Sequence, residues 1–329
     1  MNEFEAISHD TEERLARSVA VLNAGTDERE VLIAEYKRRA DQAFAPSTRR
    51  SRAVMMRVLE RYFSELGLST TPPLSPFHVA RMIDDLSPIY AIGTIECLLS
   101  AVTELHRASF LRSPRNHPIV KLAFMAARKH YSKPSKQAPP ICRKDIMDAI
   151  AKMGQSRLHV RDKAVLLVAA DSWCRSSELA ALRMHDMVLQ QDGSAILRIM
   201  RSKTDRYSSG GFAYLSIEAV NAVQDWQRLA KLTPPEPMFI TSYDNGCRKP
   251  LLSVTFTQIL RRATGRKDVS SHSTRVGGVH DAMKIGCDMG SIIMSGRWKS
   301  AEMPARYGSQ FLVGQSASAR IAAAHRNST

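Results

Sequence analysis

One short stretch divides this chain and limits what it can fold into. Residues 132–140 read SKPSKQAPP, with three prolines, two lysines and no acidic residue. Because proline lacks a backbone N–H and has a fixed φ angle, such a stretch favours an extended connection over a helix or strand. The chain has 329 residues, enough for two domains with separate hydrophobic cores. We therefore predict two domains joined by a basic, proline-rich linker at residues 132–140.

The part of the chain before the linker is predicted to be a helical, DNA-binding domain. Residues 1–27 are polar and predict a flexible arm, and residues 28–131 contain several segments with the apolar periodicity of α-helices. One segment begins at Ser47 or Thr48, which are typical N-cap residues, and a short helix is predicted at Pro76–Leu86, with proline at its first position. The connections are short enough for a compact helix bundle.

An excess of positive charge indicates a polyanionic partner. The chain carries 47 Lys and Arg residues against 32 Asp and Glu residues, a net charge of +15. Lysines and arginines that neutralise phosphates release condensed counterions, which favours binding to nucleic acid. The alternative is a basic protein without a nucleic-acid role. Three arginines share one side of the helix that follows Ser47; a solvated face is the usual role of such a stripe, but here we favour contact with DNA. The predicted DNA contacts on this helix and the linker are Arg50, Arg57, Arg61, Lys133 and Lys136.

The part after the linker, residues 141–329, is predicted to be an α+β domain. Most of it has helical periodicity, for example at Ser253–Thr264, but residues 196–201 and 212–217 alternate with the period of a strand. The Ser-Ser-Gly-Gly turn between these two runs predicts a small antiparallel β-hairpin with Lys203 near its tip.

Several classes of protein are excluded by what the sequence lacks. The N-terminus is acidic and has no apolar core of the kind a signal peptide needs, and no apolar run approaches the length of a membrane span. There is no Walker-type or G-x-G-x-x-G motif. The five cysteines are scattered without paired spacing, as expected of buried thiols in a reducing compartment. We therefore expect a cytoplasmic protein with no cofactor, no metal ion and no membrane partner.

Six residues of the second domain bear side chains suited to chemistry on a phosphodiester. They include a His-x-x-Arg pair, a tryptophan after Gly-Arg and a lone tyrosine in a basic segment. A phenol can act as a nucleophile, and guanidinium, imidazole and indole N–H groups can stabilise the charge that develops on the phosphate. Each residue alone is a weak signal. In chain order the six are Arg175, Lys203, His272, Arg275, Trp298 and Tyr307.

Taken together and in this order, these residues resemble the tyrosine recombinase (phage integrase) family. The family pattern is an arginine, a lysine on a β-hairpin, His-x-x-Arg, His or Trp, and a tyrosine nucleophile. The segment RSSELAAL at Arg175 also resembles the family's arginine box, including the acidic residue Glu178. The resemblance covers residues 143–307 closely and the first domain only by architecture. It implies a mainly α, two-domain protein with a core-binding bundle and a catalytic domain that form a C-shaped clamp on DNA.

The resemblance also implies how DNA is cleaved. Tyr307 would attack the scissile phosphate, giving a 3′-phosphotyrosyl bond and a free 5′-hydroxyl. Because this bond replaces the one that breaks, no nucleotide is needed as a source of energy. Arg175 and Arg275 would bind the non-bridging oxygens, a task that suits planar guanidinium groups.

Four further side chains receive supporting roles from the same resemblance. Lys203 would protonate the leaving 5′-oxygen, which an arginine does poorly because it does not release its proton. His272 would donate to the phosphate or take the Tyr307 proton, and Trp298 could only donate through its indole N–H. Glu178 would orient His272 or Arg175, or else be a solvated helix residue. His280 we interpret as core or surface filler.

The implied partners are double-stranded DNA with an inverted-repeat site and three further copies of the chain. Strand exchange would take place in a homotetramer on two duplexes, with the alanine-rich tail after Tyr307 docking on a neighbouring protomer. Two alternatives remain. One is a relaxing enzyme of the type IB topoisomerase kind, which uses nearly the same residues, and the other is a DNA-binding regulator without catalytic activity.

Overall fold

A computed structural model describes residues 26–134, 136–200, 210–241, 248–314 and 316–327 of this protein. The described chain is mainly helical with one small antiparallel sheet, as predicted. It divides into two compact units, residues 1–135 and 136–329, and the division falls inside the predicted linker. Residues 1–25 of the predicted arm lie outside the described residues. No described helix is both long and apolar enough to cross a membrane.

The described part of the first unit contains five helices. They are α1 (Thr26–Ala43), α2 (Pro46–Glu65), α3 (Pro76–Leu86), α4 (Ile92–Ala108) and α5 (Pro118–Tyr131). Helix α2 begins at Pro46, slightly ahead of the predicted N-cap, because proline suits the first turn of a helix, where its missing N–H is not needed. The buried apolar side chains of α2 to α5 form the core, among them Leu59, Phe63, Met82, Ile95 and Leu98.

The described part of the second unit contains ten helices and three strands. In chain order they are α6 (Arg143–Ala151), α7 (Arg157–Ser172), α8 (Ser176–Ala181), β1 (Met187–Leu189), β2 (Ala195–Ile199), β3 (Gly211–Leu215), α9 (Ile217–Ala230), α10 (Ser253–Thr264), α11 (Ser273–Lys284), α12 (Met289–Gly296), α13 (Glu302–Tyr307), α14 (Ser309–Gly314) and α15 (Ala317–Asn327). Helix α7 packs against α9, α10, α11 and β3. It is therefore the centre of the larger core of this unit.

The sheet has the order β1-β2-β3, and both neighbouring pairs are antiparallel. Strands β2 and β3 form the predicted hairpin, with Ala195 opposite Leu215 and Ile199 opposite Gly211. Alternate residues of β2 are buried, as its sequence pattern predicts. Strand β1 was not predicted. The predicted hairpin tip, with Lys203, lies outside the described residues.

A second, smaller apolar cluster lies beside the main core of this unit. It consists of buried residues from α11, α12 and α13, including Val276, Val279, Ile292 and Tyr307, with Trp298 packed against it. This cluster packs the ends of α11, α12 and α13 together, and four predicted catalytic residues lie at or next to those ends: His272, Arg275, Trp298 and Tyr307.

Candidate active site

The predicted catalytic residues that the structure describes lie where helices begin or end. Arg175 is the N-cap of α8 and His272 is the N-cap of α11. Tyr307 is the last residue of α13, and Arg297 ends α12 in a left-handed conformation. Helix α7 ends nearby at Trp173, which is also left-handed. Helix ends leave backbone groups without intrahelical partners, so side chains and free backbone groups meet in one small region.

Arg275 lies in the first turn of α11 and is fully buried. Its Nη1 donates to the carbonyl oxygen of Trp173, and its Nη2 donates to that of Gly296 at 2.9 Å. Its buried Nε–H has no acceptor among the described residues. Burial, aided by the charges of Arg175 and Arg297, lowers the pKa of Arg275 to about 10. The guanidinium therefore keeps its charge at neutral pH.

Glu178 joins two guanidinium groups from different helices. Its Oε1 accepts from Arg175 Nη1 at 2.7 Å, and its Oε2 accepts from the Arg175 backbone N–H at 2.9 Å and from Arg297 Nη2 at 3.0 Å. Burial alone would raise the pKa of Glu178, but the hydrogen bonds from Arg175 and the charge of Arg297 outweigh it, so the pKa is lowered. Glu178 is thus a buried anion and not a solvated helix residue, and of the two partners predicted for it, it contacts Arg175.

Tyr307 and His272 are directly joined. The distance from His272 Nε2 to Tyr307 Oη is 2.5 Å, and both side chains are largely out of solvent. Burial lowers the pKa of His272, and the charges of Arg275 and Arg175 lower it further. Burial raises the pKa of Tyr307, and the nearby arginines reduce that effect without reversing it. At neutral pH this pair is therefore a neutral imidazole beside a protonated phenol.

Trp298 places its ring between the guanidinium and the phenol. The Arg275 guanidinium lies over the indole, 4.6 Å from the ring centroid, and the Tyr307 ring meets it edge-on with centroids 6.0 Å apart. A Cβ at Gly296 would overlap the Trp298 ring, so the close approach depends on glycine at that position. The Trp298 ring therefore contacts both the Arg275 guanidinium and the Tyr307 ring.

The backbone carbonyl of Tyr307 is held from two sides. His280 Nε2 donates to it at 2.8 Å, and Gln137 Nε2 donates at 3.2 Å. His280, which we interpreted as core or surface filler, therefore has a specific partner in the backbone of the predicted nucleophile. Its spacing from His272 and Arg275 matches no motif, and only the position of α13 against α11 shows its partner. Gln137 comes from the predicted linker, whose second half packs on this unit.

Six of the seven predicted catalytic residues form one continuous network of contacts. Lys203, the seventh, lies outside the described residues. Arg297, a basic residue of this network, was not predicted as a site residue, although it belongs to the Gly-Arg-Trp sequence that precedes α13. The described residues include no cluster of three or more His, Cys, Asp or Glu side chains that could hold a metal ion. The five predicted DNA contacts are all exposed side chains, at Arg50, Arg57, Arg61, Lys133 and Lys136.

Comparison with known proteins places these observations in a family. Residues 142–311, more than half of the chain, match the Phage integrase family. The sequence is 26% identical to Recombinase cre of Escherichia phage P1 over an alignment of 241 residues, and the alignment covers 66% of this chain and 70% of that protein.

Similarity to solved structures extends over most of the chain. A lambda integrase dimer bound to a COC′ core site matches with a TM-score of 0.56 and 15% identity, covering 84% of this chain and 94% of that one. The Tn1549 transposon integrase in complex with circular intermediate DNA matches with a TM-score of 0.57 and 14% identity, covering 84% and 93%. At these identities the similarity shows the fold alone.

Proposed function

The chain belongs to the phage integrase family and is a tyrosine recombinase, and we propose that it cleaves and rejoins DNA through a covalent bond to Tyr307. The observation that carries this proposal is the 2.5 Å contact between Tyr307 Oη and His272 Nε2, next to a group of buried guanidiniums. A buried phenol with a raised pKa is a poor nucleophile until a base takes its proton. His272 is in position to be that base.

The proposed step exchanges one phosphodiester bond for another. Tyr307 Oη bonds to phosphorus, and the bond from phosphorus to the 5′-oxygen breaks. The phenolic proton passes to Nε2 of the His272 imidazole, which already carries a proton on Nδ1 and becomes an imidazolium. The 5′-oxygen takes a proton from Lys203. The products are a 3′-phosphotyrosyl bond and a free 5′-hydroxyl. Attack by the 5′-hydroxyl of another strand reverses the step and rejoins the DNA.

The charges around Tyr307 favour this step. Arg175, Arg275 and Arg297 supply three positive charges against the one negative charge of Glu178. A region with two excess positive charges and little solvent stabilises the additional negative charge that phosphorus bears when five oxygens surround it. Arg175 and Arg275 bind the non-bridging oxygens in this proposal; the Arg175 side chain is 22% exposed, whereas the Nε–H of Arg275 is buried and reaches a phosphate only when the site opens to admit DNA. Trp298 packs against both the Arg275 guanidinium and the Tyr307 phenol and so holds the two groups at a fixed distance from each other.

On a larger scale, the two units close on a DNA duplex as a C-shaped clamp in the cytoplasm, and four protomers exchange strands between two inverted-repeat sites. Similar proteins support the DNA partner, since the lambda and Tn1549 integrases were solved with DNA. The tail supports the assembly. Helix α15 has alanine at five of its positions, no acidic residue, and an exposed Ile321, which suits docking on a neighbouring protomer.

Covalent trapping on a DNA library tests this proposal. The protein is incubated with fragments of the DNA that flanks its gene, the reaction is stopped with detergent, and the fragments that remain attached are sequenced. Tyr307→Phe is the matched control because it removes only the nucleophilic oxygen. We expect adducts at one inverted-repeat sequence with the wild-type chain and none with the variant.

The other outcomes separate the alternatives. Adducts scattered over all sequences would indicate a topoisomerase-like relaxing enzyme. Adducts that persist in Tyr307→Phe would show that another residue is the nucleophile. Binding without any adduct, at every concentration of the library, would contradict the proposed chemistry and leave a DNA-binding protein.

A further inference from the structure

We infer that Arg297 is a positioning residue for the phosphate-binding arginine: it holds Glu178, and through Glu178 it fixes the Arg175 guanidinium. This inference rests on the proposed function and deepens it. The sequence pattern that identified the other site residues gives no role to a basic residue at this position. The geometry around Arg297 does.

The backbone of Arg297 directs its side chain back toward the end of α7. Its φ angle is +54°, and its N–H donates to the carbonyl oxygen of Met294 at 3.1 Å, so α12 stops there in a left-handed turn. Residues other than glycine rarely adopt this conformation, and it persists only where surrounding contacts hold it. Here the backbone hydrogen bonds of Arg297 and Trp298 and the contacts of the Arg297 guanidinium hold it together.

The Arg297 guanidinium binds three groups that lie behind Arg175. Nη1 donates to the carbonyl oxygen of Ser172 at 2.9 Å, and Nη2 donates to Glu178 Oε2 at 3.0 Å and to the carbonyl oxygen of Trp173 at 3.4 Å. Ser172 and Trp173 form the C-terminal end of α7, where carbonyl groups carry partial negative charge. One planar, forked cation thus joins the end of a helix to a buried carboxylate.

Burial separates the role of Arg297 from that of Arg175. The side chain of Arg175 is 22% exposed, whereas those of Arg297 and Glu178 are 11% and 1% exposed. Arg175 therefore retains an accessible surface for a phosphate, and Arg297 lies deeper, with Glu178 between them. Glu178 Oε2 accepts from both Arg297 and the Arg175 backbone, so loss of Arg297 removes the bond that ties the carboxylate to the end of α7 and lets the Glu178–Arg175 pair shift as a unit.

Arg297 also fits closely against the base of the β2–β3 hairpin. A Cβ at Gly211, the first residue of β3, would lie 2.8 Å from Arg297 Cδ. The side chain therefore occupies the space that any other residue at Gly211 would fill. Lysine at position 297 could keep the charge, but it lacks the fork that reaches the α7 carbonyls and Glu178 together.

A neutral phosphate distinguishes positioning of Arg175 from a merely structural role. The probe is the duplex recovered by covalent trapping, made with an ordinary scissile phosphate and with a methylphosphonate, in which a methyl group replaces one charged oxygen. A neutral linkage needs the arginine clamp much less. On the ordinary phosphate we expect Arg297→Gln to slow single-turnover cleavage by about 100-fold, the loss typical of a displaced catalytic group. On the methylphosphonate the same variant should lose less than about fivefold relative to the wild-type chain.

A double-mutant cycle shows whether the effect passes through Glu178. In a chain that already carries Glu178→Gln, the further change Arg297→Gln should slow cleavage little, because the two residues act as a unit. Arg297→Lys should fall between Arg297→Gln and the wild-type chain. Arg228→Gln is the charge-matched control, since Arg228 is an exposed residue of α9 paired with Asp225 on the same helix, and its cleavage rate should not change.

Several results would overturn the inference. One is an equal loss of cleavage rate on the ordinary phosphate and on the methylphosphonate, which is the pattern of a damaged fold. Another is a double-mutant cycle in which the effects of Arg297→Gln and Glu178→Gln add. A third is cleavage by Arg297→Gln at the wild-type rate. If Arg297→Gln fails to bind the duplex, the same ratios are measured on Arg297→Lys. If the wild-type chain forms no adduct with Tyr307, the proposed function fails and this inference fails with it, whereas normal wild-type adducts with unaffected variants contradict the inference alone.

Discussion

The His272 imidazole is buried beside Arg275 and Arg175. Its burial and the positive charges of these two arginines both lower its pKa. Its pKa is lowered from 6.5, so His272 is neutral at pH 7 and can accept the Tyr307 proton. Protonation removes this ability only as the pH falls through the lowered pKa. We therefore expect the single-turnover cleavage rate of the wild-type chain to be unchanged between pH 7.5 and about pH 6.5, and to fall only at lower pH.

The variant His272→Ala should show the opposite profile. Without a base, only the Tyr307 phenolate attacks, and the pKa of Tyr307 is raised above 10. The cleavage rate of the variant should then increase about tenfold per pH unit from pH 7 to 9. The measurement is single-turnover cleavage of the trapped duplex in matched buffers. A flat profile for the variant would show that His272 acts only as a donor to the phosphate.

Lys203 has a role that a change of leaving group can test. If its ammonium protonates the 5′-oxygen, Lys203→Ala should slow cleavage far more than it weakens binding. A duplex with sulfur in place of that oxygen needs no acid, because a thiol has a pKa of about 8.5 and leaves as the thiolate. We expect this duplex to restore most of the rate of the variant. Equal losses of binding and cleavage, or no rescue by sulfur, would contradict the role.

The amino-acid sequence predicts the residues that take part in the reaction better than it predicts the residues that position them. Tyr307, His272 and Arg275 could be named from the sequence because the chemistry limits which side chains can serve. Arg297 and His280 could not, because their roles depend on where a left-handed turn directs a side chain and on which carbonyl lies across a helix interface. Neither fact leaves a periodic signal in the sequence.

At the scale of elements, helices and strands that span two or more periods of their sequence pattern could be predicted, and three shorter elements could not. The predictions Pro76–Leu86 and Ser253–Thr264 coincide with α3 and α10. The unpredicted elements β1, α13 and α14 have three to six residues. So few residues carry less than two periods of a helix or strand pattern, and such elements form because tertiary contacts hold them. The nucleophile lies on one of them, so the contacts of its backbone carbonyl with His280 and Gln137 could not be predicted.

The buried carboxylate of Asp162 forms an ion pair with the buried Arg161 of the same helix, and it also joins that helix to a half-exposed arginine of α10. Asp162 of α7 is 1% exposed, and its carboxylate accepts from Arg161 and from Arg262 of α10. Removing one partner of a buried pair leaves uncompensated charge, so Asp162→Ala should lower the free energy of unfolding by about 3–5 kcal/mol. Urea unfolding measures this change. Asp225→Ala, at an exposed pair, should change it by less than about 1 kcal/mol, and equal effects of the two variants would refute the distinction.

At the scale of the whole molecule, the net charge of +15 does not tell which residues recognise sequence. Arg57 is exposed on α2 with Arg50 and Arg61, and Lys133 is exposed beyond α5. If Arg57 contacts bases, Arg57→Ala should cost about 1–3 kcal/mol of binding and relax the preference at one position. Lys133→Ala should weaken binding to all DNA sequences equally, and it should reduce the slope of log affinity against log salt concentration by about one. Binding to a randomised library at several salt concentrations separates them, and uniform weakening by Arg57→Ala would make it a phosphate contact.

Assembly should depend on the tail and cleavage should not. Ile321 is 59% exposed on α15 and is not among the residues of the apolar cluster that contains Tyr307. If it docks on a neighbouring protomer, Ile321→Glu buries a charge in that interface and opposes tetramer formation. We expect the variant to form covalent adducts on a single duplex at the wild-type rate, yet to lose strand exchange and sediment as smaller complexes on DNA. Ile321→Leu keeps the apolar surface and should retain both activities. Tetramers of Ile321→Glu that recombine normally would show that the protomers associate through another surface.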